Sequence, residues 1–245
     1  MGIIVAIGGG EIKDLETLEI DRVIVGLSGK NNPQALFIPT ASGDAENYYD
    51  VFRRVYAGEL GCSTDVLYLI REKPDEQEIR NKILGADIIY VGGGNTLKMM
   101  EIWRENKLDI YLKKAWEKNI ILAGLSAGSI CWFKYGHSDS EYFAGKENWS
   151  YIKVDGLGFI DAFHCPHFNE DTREEDFMRM LKEYDEINGI ALDNNSALIV
   201  VDDKYRVITA SEGANAYKIY SRNGEIVKEV IKEEVSFNDL KKLIK

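Results

Sequence analysis

The chain has 245 residues, 41 acidic against 30 basic side chains, a net charge of −11 and 45% hydrophobic residues, which excludes a disordered chain and argues against a nucleic-acid partner. No apolar run approaches the roughly 20 residues a membrane helix needs, so no membrane partner is expected. No basic region precedes the apolar start of MGIIVAIGGGEI, so it is not expected to be a secretory signal, and three widely spaced cysteines (Cys62, Cys131, Cys165) fit the reduced thiols of a cytoplasmic protein.

Residues 3–7 form an apolar run that ends in Gly8-Gly9-Gly10. Residues 35–38 end at Pro39-Thr40-Ala41-Ser42 and precede a helix-like stretch over 46–60. Residues 65–69 are followed by a helix-like 74–84, and 87–91 run into Gly92-Gly93-Gly94 before helical patterns at 96–103 and 109–118. Residues 120–123 enter Gly124-Leu125-Ser126-Ala127-Gly128, and 129–135 are helix-compatible. Short continuous apolar runs alternating with helices predict parallel strands covered on both faces. In the second half, strand-like runs at 161–163, 190–192, 197–201, 206–209 and 216–219 are joined by short turns at 202–204 and 222–224, with one helix over 172–184. The expected fold is α/β: a doubly wound, mostly parallel sheet with helices on both faces and an antiparallel extension in the C-terminal half. Residues 236–245 read as a short helix with Ser236 as N-cap. No repeat and no linker divides the chain, so one domain over 1–245 is expected.

In open α/β sheets the ligand site lies beyond the carboxyl ends of the strands, which selects the turns at 92–95 and 124–128. The second of these fits Gly-x-Ser-x-Gly, with a strand before and a helix-compatible stretch after. A serine on so sharp a turn is exposed above the sheet, and side chains two residues either side would collide, hence Gly124 and Gly128. The same turn aims the Ala127 amide and the helix N-terminus at the place where an oxyanion would form. A phosphate-binding turn is the competing reading. The nucleophile needs a base, and His167, His164 and His137 are the candidates. A carboxylate should orient that base, and Asp139, Glu141, Glu147, Asp155 and Asp161 all lie between Ser126 and His167. The glycines at 92–94 allow free amides to face the site, whereas Gly8–Gly10 read as a tight turn at a sheet end. The histidines and cysteines show no metal-ligand spacing, and no metal or other cofactor is expected.

Val91-Gly92-Gly93-Gly94-Asn95-Thr96, Gly124-Leu125-Ser126-Ala127-Gly128 and Pro166-His167-Phe168, in that order, resemble the peptidase E/cyanophycinase family of serine peptidases. Further similarity appears in Phe37-Ile38-Pro39 and Thr172-Arg173-Glu174. The resemblance implies a fold related to class I glutamine amidotransferases, with Ser126 as nucleophile, His167 as general base and Gly94 and Ala127 as oxyanion amides. The third triad member would be Glu141, with Asp139 the near alternative. Arg173 would bind the carboxylate of a substrate aspartate, and Asn95 would join it in substrate binding. The implied activity is hydrolysis of short peptides with an N-terminal aspartate. The implied partner is thus a small peptide, and a homodimer is among the assemblies the sequence allows. Two segments depart from the family pattern: the stretch from His167 to Arg173 is shorter, and Leu192-Asp193-Asn194-Asn195 lacks the Gly/Pro-bearing loop. Cleavage of a β-linked arginine polymer, as in cyanophycinase, and non-catalytic binding of a nucleotide or other small molecule are the alternative functions.

Overall fold

The apolar runs of the first half become strands that are buried on both faces, as their unbroken hydrophobicity requires. The computed structural model describes residues 2–184 and 186–244; Met1 and Lys245, the two ends of the expected domain, and Asp185 lie outside the described residues. Strands β1 (Ile3–Ile7), β2 (Gln34–Ile38), β3 (Ser63–Val66), β4 (Ile88–Val91) and β5 (Ile121–Leu125) pair in parallel in the order β1-β5-β4-β2-β3. Helices α1 (Leu18–Leu27), α2 (Glu46–Arg53, prolonged by a wider turn over Arg54–Glu59), α3 (Glu76–Gly85), α4 (Thr96–Glu105) and α5 (Leu108–Glu117) connect them. Side chains alternate across each strand, so β1 feeds two cores. Ile4 and Ala6 pack with Ile79, Met99 and Leu112 of α3, α4 and α5, while Val5 and Ile7 pack with Ile20 and Phe52 of α1 and α2.

The second half contains α6 (Ala127–Ile130), β6 (Phe133–Ser138), α7 (Ser140–Phe143), β7 (Ile152–Asp155), β8 (Ile160–Cys165), α8 (Arg173–Leu181), β9 (Gly189–Leu192), β10 (Ser196–Val201), β11 (Lys204–Thr209), β12 (Ala216–Arg222), β13 (Glu225–Ile231) and β14 (Asn238–Asp239). Strands β10, β11 and β14 extend the first sheet antiparallel from β1, which is the expected extension. The others form a second, six-stranded sheet in the order β13-β12-β9-β8-β6-β7, with β6, β8 and β9 parallel. Its inner face closes on the first sheet: Trp132, Phe133, Ala162 and Ile190 share a core with Ile4 and Leu122. On its outer face Phe163 and Ala191 pack with Phe177 and Leu181 of α8.

Three local expectations are corrected. Residues 129–135 do not continue as a helix, because the chain folds back after one turn to begin β6; a Cβ on Gly136 would lie 2.1 Å from Ile130 Cγ2. The third strand is Ser63–Val66 rather than 65–69. The C-terminal segment is no helix from Ser236, since Asn238 and Asp239 pair with β11 and only the turn Leu240–Lys242 follows. Asp239 caps that turn, accepting from the Lys241 N–H at 2.9 Å.

Candidate active site

At the end of β5 the backbone turns so sharply that Ser126 takes φ 57° and ψ −116°, a conformation L residues adopt only under constraint. The constraint is close packing. A Cβ on Gly124 would lie 2.1 Å from the Gly128 carbonyl oxygen, and one on Gly128 would lie 2.1 Å from that of Val91 on β4. The Ser126 N–H donates to the Ile7 carbonyl of β1 (3.2 Å), so three neighbouring strands fix this turn. Ala127 opens α6, where the first N–H groups have no intrahelical acceptor and face outward from the helix end.

The histidine expected to pair with Ser126 comes from the other sheet. His167 follows β8 and also holds a left-handed backbone, φ 142°. Its Nε2 lies 2.6 Å from Ser126 Oγ, and its Nδ1 lies 2.8 Å from Asn194 Oδ1 in the turn between β9 and β10. Asn194 Nδ2 donates to Glu170 Oε1 at 3.2 Å. A carboxylate accepts only, so this contact fixes which end of the amide is the oxygen. Nδ1 must then carry the proton, leaving Nε2 bare to accept from the serine hydroxyl. Burial and then the Arg173 charge push the His167 pKa down, while Glu170 and the Asn194 hydrogen bond hold it up. At neutral pH the ring is uncharged, as a general base must be.

The other histidines are engaged elsewhere. His164 is buried between Ser129 Oγ (2.8 Å) and the Ile190 carbonyl (2.9 Å), and burial pushes its pKa down to about 3. His137 lies 2.9 Å from Asp176, stacks on Tyr151 at 4.3 Å, and is pushed by burial to about 4.

Glu141, expected behind the histidine, does not reach it. It sits in α7, paired with Lys146 and accepting from the Ser150 N–H at 3.2 Å. Asp139, the alternative, binds Arg173 at 2.7 Å. The place both would fill is taken by Asn194, on a loop that reaches the site only because β9 lies beside β8. Asn95 is likewise engaged locally: its Oδ1 caps α4 by accepting from Lys98 N (3.0 Å), and its Nδ2 donates to the Ser140 carbonyl (3.1 Å). Gly94, at φ 134°, passes so near Ala41 that a Cβ would lie 2.3 Å from its carbonyl oxygen.

One residue that sequence reading leaves as a plain turn matters here. A Cβ on Gly9 would lie 1.9 Å from Asn194 Oδ1 and 2.4 Å from His167 Nδ1, so its bareness makes room for that pair. The signal was the glycine run after β1, the strand that borders β5.

Arg173, the first residue of α8, is 2% exposed, with its guanidinium 4.8 Å over the Tyr151 ring. Its Nη2 donates to Asp139, but Nε and Nη1 are buried without a hydrogen-bond partner. The arginine lines a cavity of about 850 Å³ together with Gly94, Ser126, His167 and Asn194. Nη2, the nitrogen common to both forks of the guanidinium, is thus committed to Asp139, and the two remaining donors keep this buried cation able to take a further acceptor. The cavity also holds Lys13, Lys98, Glu11 and Glu16. Among the described residues no three His, Cys, Asp or Glu side chains converge as metal ligands. All three cysteines are buried as thiols: burial pushes Cys62 up to about 11, Cys131 well above its ordinary value, and Cys165 upward.

The chain matches the model of "Peptidase family S51" over residues 4–208. It is 34% identical over 226 residues to the protein named Uncharacterized peptidase YgaJ of Bacillus subtilis (strain 168), covering 91% of this chain and 94% of that one. Two solved structures share the fold. A crystal structure of a peptidase from an acI-B1 Actinobacterium superposes with a TM-score of 0.72 at 20% identity, covering 98% of this chain and 97% of that one. A putative peptidase E protein from Listeria monocytogenes EGD-e gives 0.65 at 18% identity, covering 86% of this chain and all of the other.

Proposed function

Because the chain belongs to peptidase family S51, we propose that this cavity cleaves short peptides by acyl transfer to Ser126, with preference for an N-terminal aspartate. The observation that carries the reading is the 2.6 Å contact between Ser126 Oγ on its strained turn and a His167 whose other nitrogen is already bonded. Ser126 Oγ attacks the scissile carbonyl carbon as its proton passes to His167 Nε2. The carbonyl oxygen becomes an oxyanion held by the Gly94 and Ala127 amides, a site where loss of one donor typically costs about 10²–10³ in rate. His167 then gives that proton to the leaving amine as the C–N bond breaks. Water, deprotonated by the same nitrogen, attacks the acyl carbon, and the returned proton restores the Ser126 hydroxyl. The buried positive charge of Arg173, whose Nε and Nη1 make no hydrogen bond, supplies the feature that would select a carboxylate side chain.

Turnover of Asp-X dipeptides beside Asn-X and Glu-X controls tests the specificity, with Asp-X expected to lead. Equal turnover of all three removes Arg173 from the reading. A burst with an activated ester that survives in Ser126→Ala overturns the acyl-enzyme itself.

A further inference from the structure

We propose that Glu170 and Asn194 together replace the carboxylate of a conventional triad: the Asn194 amide fixes the His167 ring, and Glu170 supplies the negative charge the imidazolium needs. This rests on the assignment of Ser126 as nucleophile and His167 as base.

An amide oxygen can accept the Nδ1 proton, and so can set tautomer and ring orientation. It carries no net charge, so it leaves the imidazolium formed during acyl transfer largely uncompensated. The surroundings worsen that deficit, because Arg173 is a permanent, buried cation in the same cavity. Glu170 stands between the two positive centres. Its Oε1 is 3.5 Å from His167 Nδ1, and its Oε2 is 4.0 Å from Arg173 Nε. The same Oε1 accepts from Asn194 Nδ2, which closes a three-membered circuit of His167, Asn194 and Glu170. The other groups facing the ring are committed. Asp139 is held by Arg173, and His164 has both ring nitrogens bonded to Ser129 and Ile190. Asn194 is anchored in turn by its own N–H, which donates to Asn169 Oδ1 at 2.9 Å.

During the reaction the proton from Ser126 Oγ arrives at Nε2, while the Nδ1 proton stays on the ring and strengthens its bond to Asn194 Oδ1. No proton leaves for Glu170, whose part is purely electrostatic. Both residues are positioning residues, since neither touches the reacting atoms.

The test is the pH dependence of Ser126 labelling by a fluorophosphonate, which needs no knowledge of the peptide substrate. In the intact protein the rate rises as His167 loses its proton. Glu170→Gln is expected to move this rise to lower pH and to lower the plateau. Asn194→Asp places a carboxylate directly on Nδ1 and is expected to move the rise to higher pH. Damage to packing would slow labelling but would not drive the two variants in opposite directions. A rise that stays in place in Glu170→Gln, or that moves the same way in both variants, overturns the proposal alone. Absence of labelling in the intact protein at every pH overturns the nucleophile assignment as well. The His167 ring titration followed by NMR in Ser126→Ala should show the same two displacements, independently of any chemistry at the serine.

Discussion

The two sheets meet at one cavity and bring it opposite kinds of chemistry. The eight-stranded sheet contributes backbone: a serine in a strained conformation and glycines pressed against carbonyl oxygens. The six-stranded sheet and its loops contribute titratable side chains, each located by hydrogen bonds rather than by contact between main chains. Damage to the first should therefore cost fold and activity together, while damage to the second should cost activity or pH tolerance first.

The largest expected effect lies at Ser126, the proposed nucleophile. Ser126→Gly relieves a backbone strain of about 1–3 kcal/mol, so it should raise the melting temperature while lowering turnover at least about 10³-fold. A variant that is both less active and less stable would contradict the idea that the strain serves the site. Next comes acid. His164 and His137 have folded pKa values of about 3 and about 4, below the ordinary 6.5, so their contribution is present above pH 6.5 and is lost as pH falls toward those values. Each should remove about 2 kcal/mol of stability between pH 7 and pH 5, readable as a falling unfolding midpoint in urea. Gly128→Ala, in α6 where it packs on the first sheet, sets a methyl 2.1 Å from the Val91 carbonyl oxygen and should cost about 2–3 kcal/mol with a parallel loss of activity. If activity fell with stability untouched, the contrast between the sheets would fail there.

Asp21 on α1 gives a test of opposite sign, and one that should leave activity unmoved. It is fully buried, bonded to Thr17 and Tyr56, and burial raises its pKa from 3.8 to about 6. A raised carboxylate favours the native state while protonated, so stability falls as pH rises from 3.8 through 6. Asp21→Asn should add up to about 3 kcal/mol at pH 8 and little at pH 4. It should also steepen the loss between pH 7 and pH 5, because the histidines then act unopposed.

The same division governs what the sequence reveals. The parallel strands of the first half are legible because burial on both faces demands unbroken apolar runs such as Ile88–Val91. The turn at Ser126 is legible because Gly124 is imposed by Gly128 only four residues on, although Gly128 itself answers to Val91 on β4. Helix α1 is obscured by its β-branched Ile20, Val23, Ile24 and Val25, which read equally well as strand. The second sheet is not legible as a separate body, since β6 carries the mixed sequence FKYGHS with no clean alternation. Pairing of Ser126 with His167 follows from motif order, but the partner of Nδ1 does not. Asn194 lies 27 positions beyond the histidine and is brought to it by strand adjacency alone, while Glu141, which the family resemblance implies, satisfies Lys146 instead.

The interior location of Cys62, Cys131 and Cys165 has a practical corollary. Thiolates, rather than thiols, react with maleimides, so the native chain should remain nearly silent toward such dyes at neutral pH. A pair of cysteines engineered on the outer faces of the two sheets could then carry fluorophores without removing any native sulfur. Energy transfer between them would report whether the walls of the cavity draw together when a peptide enters.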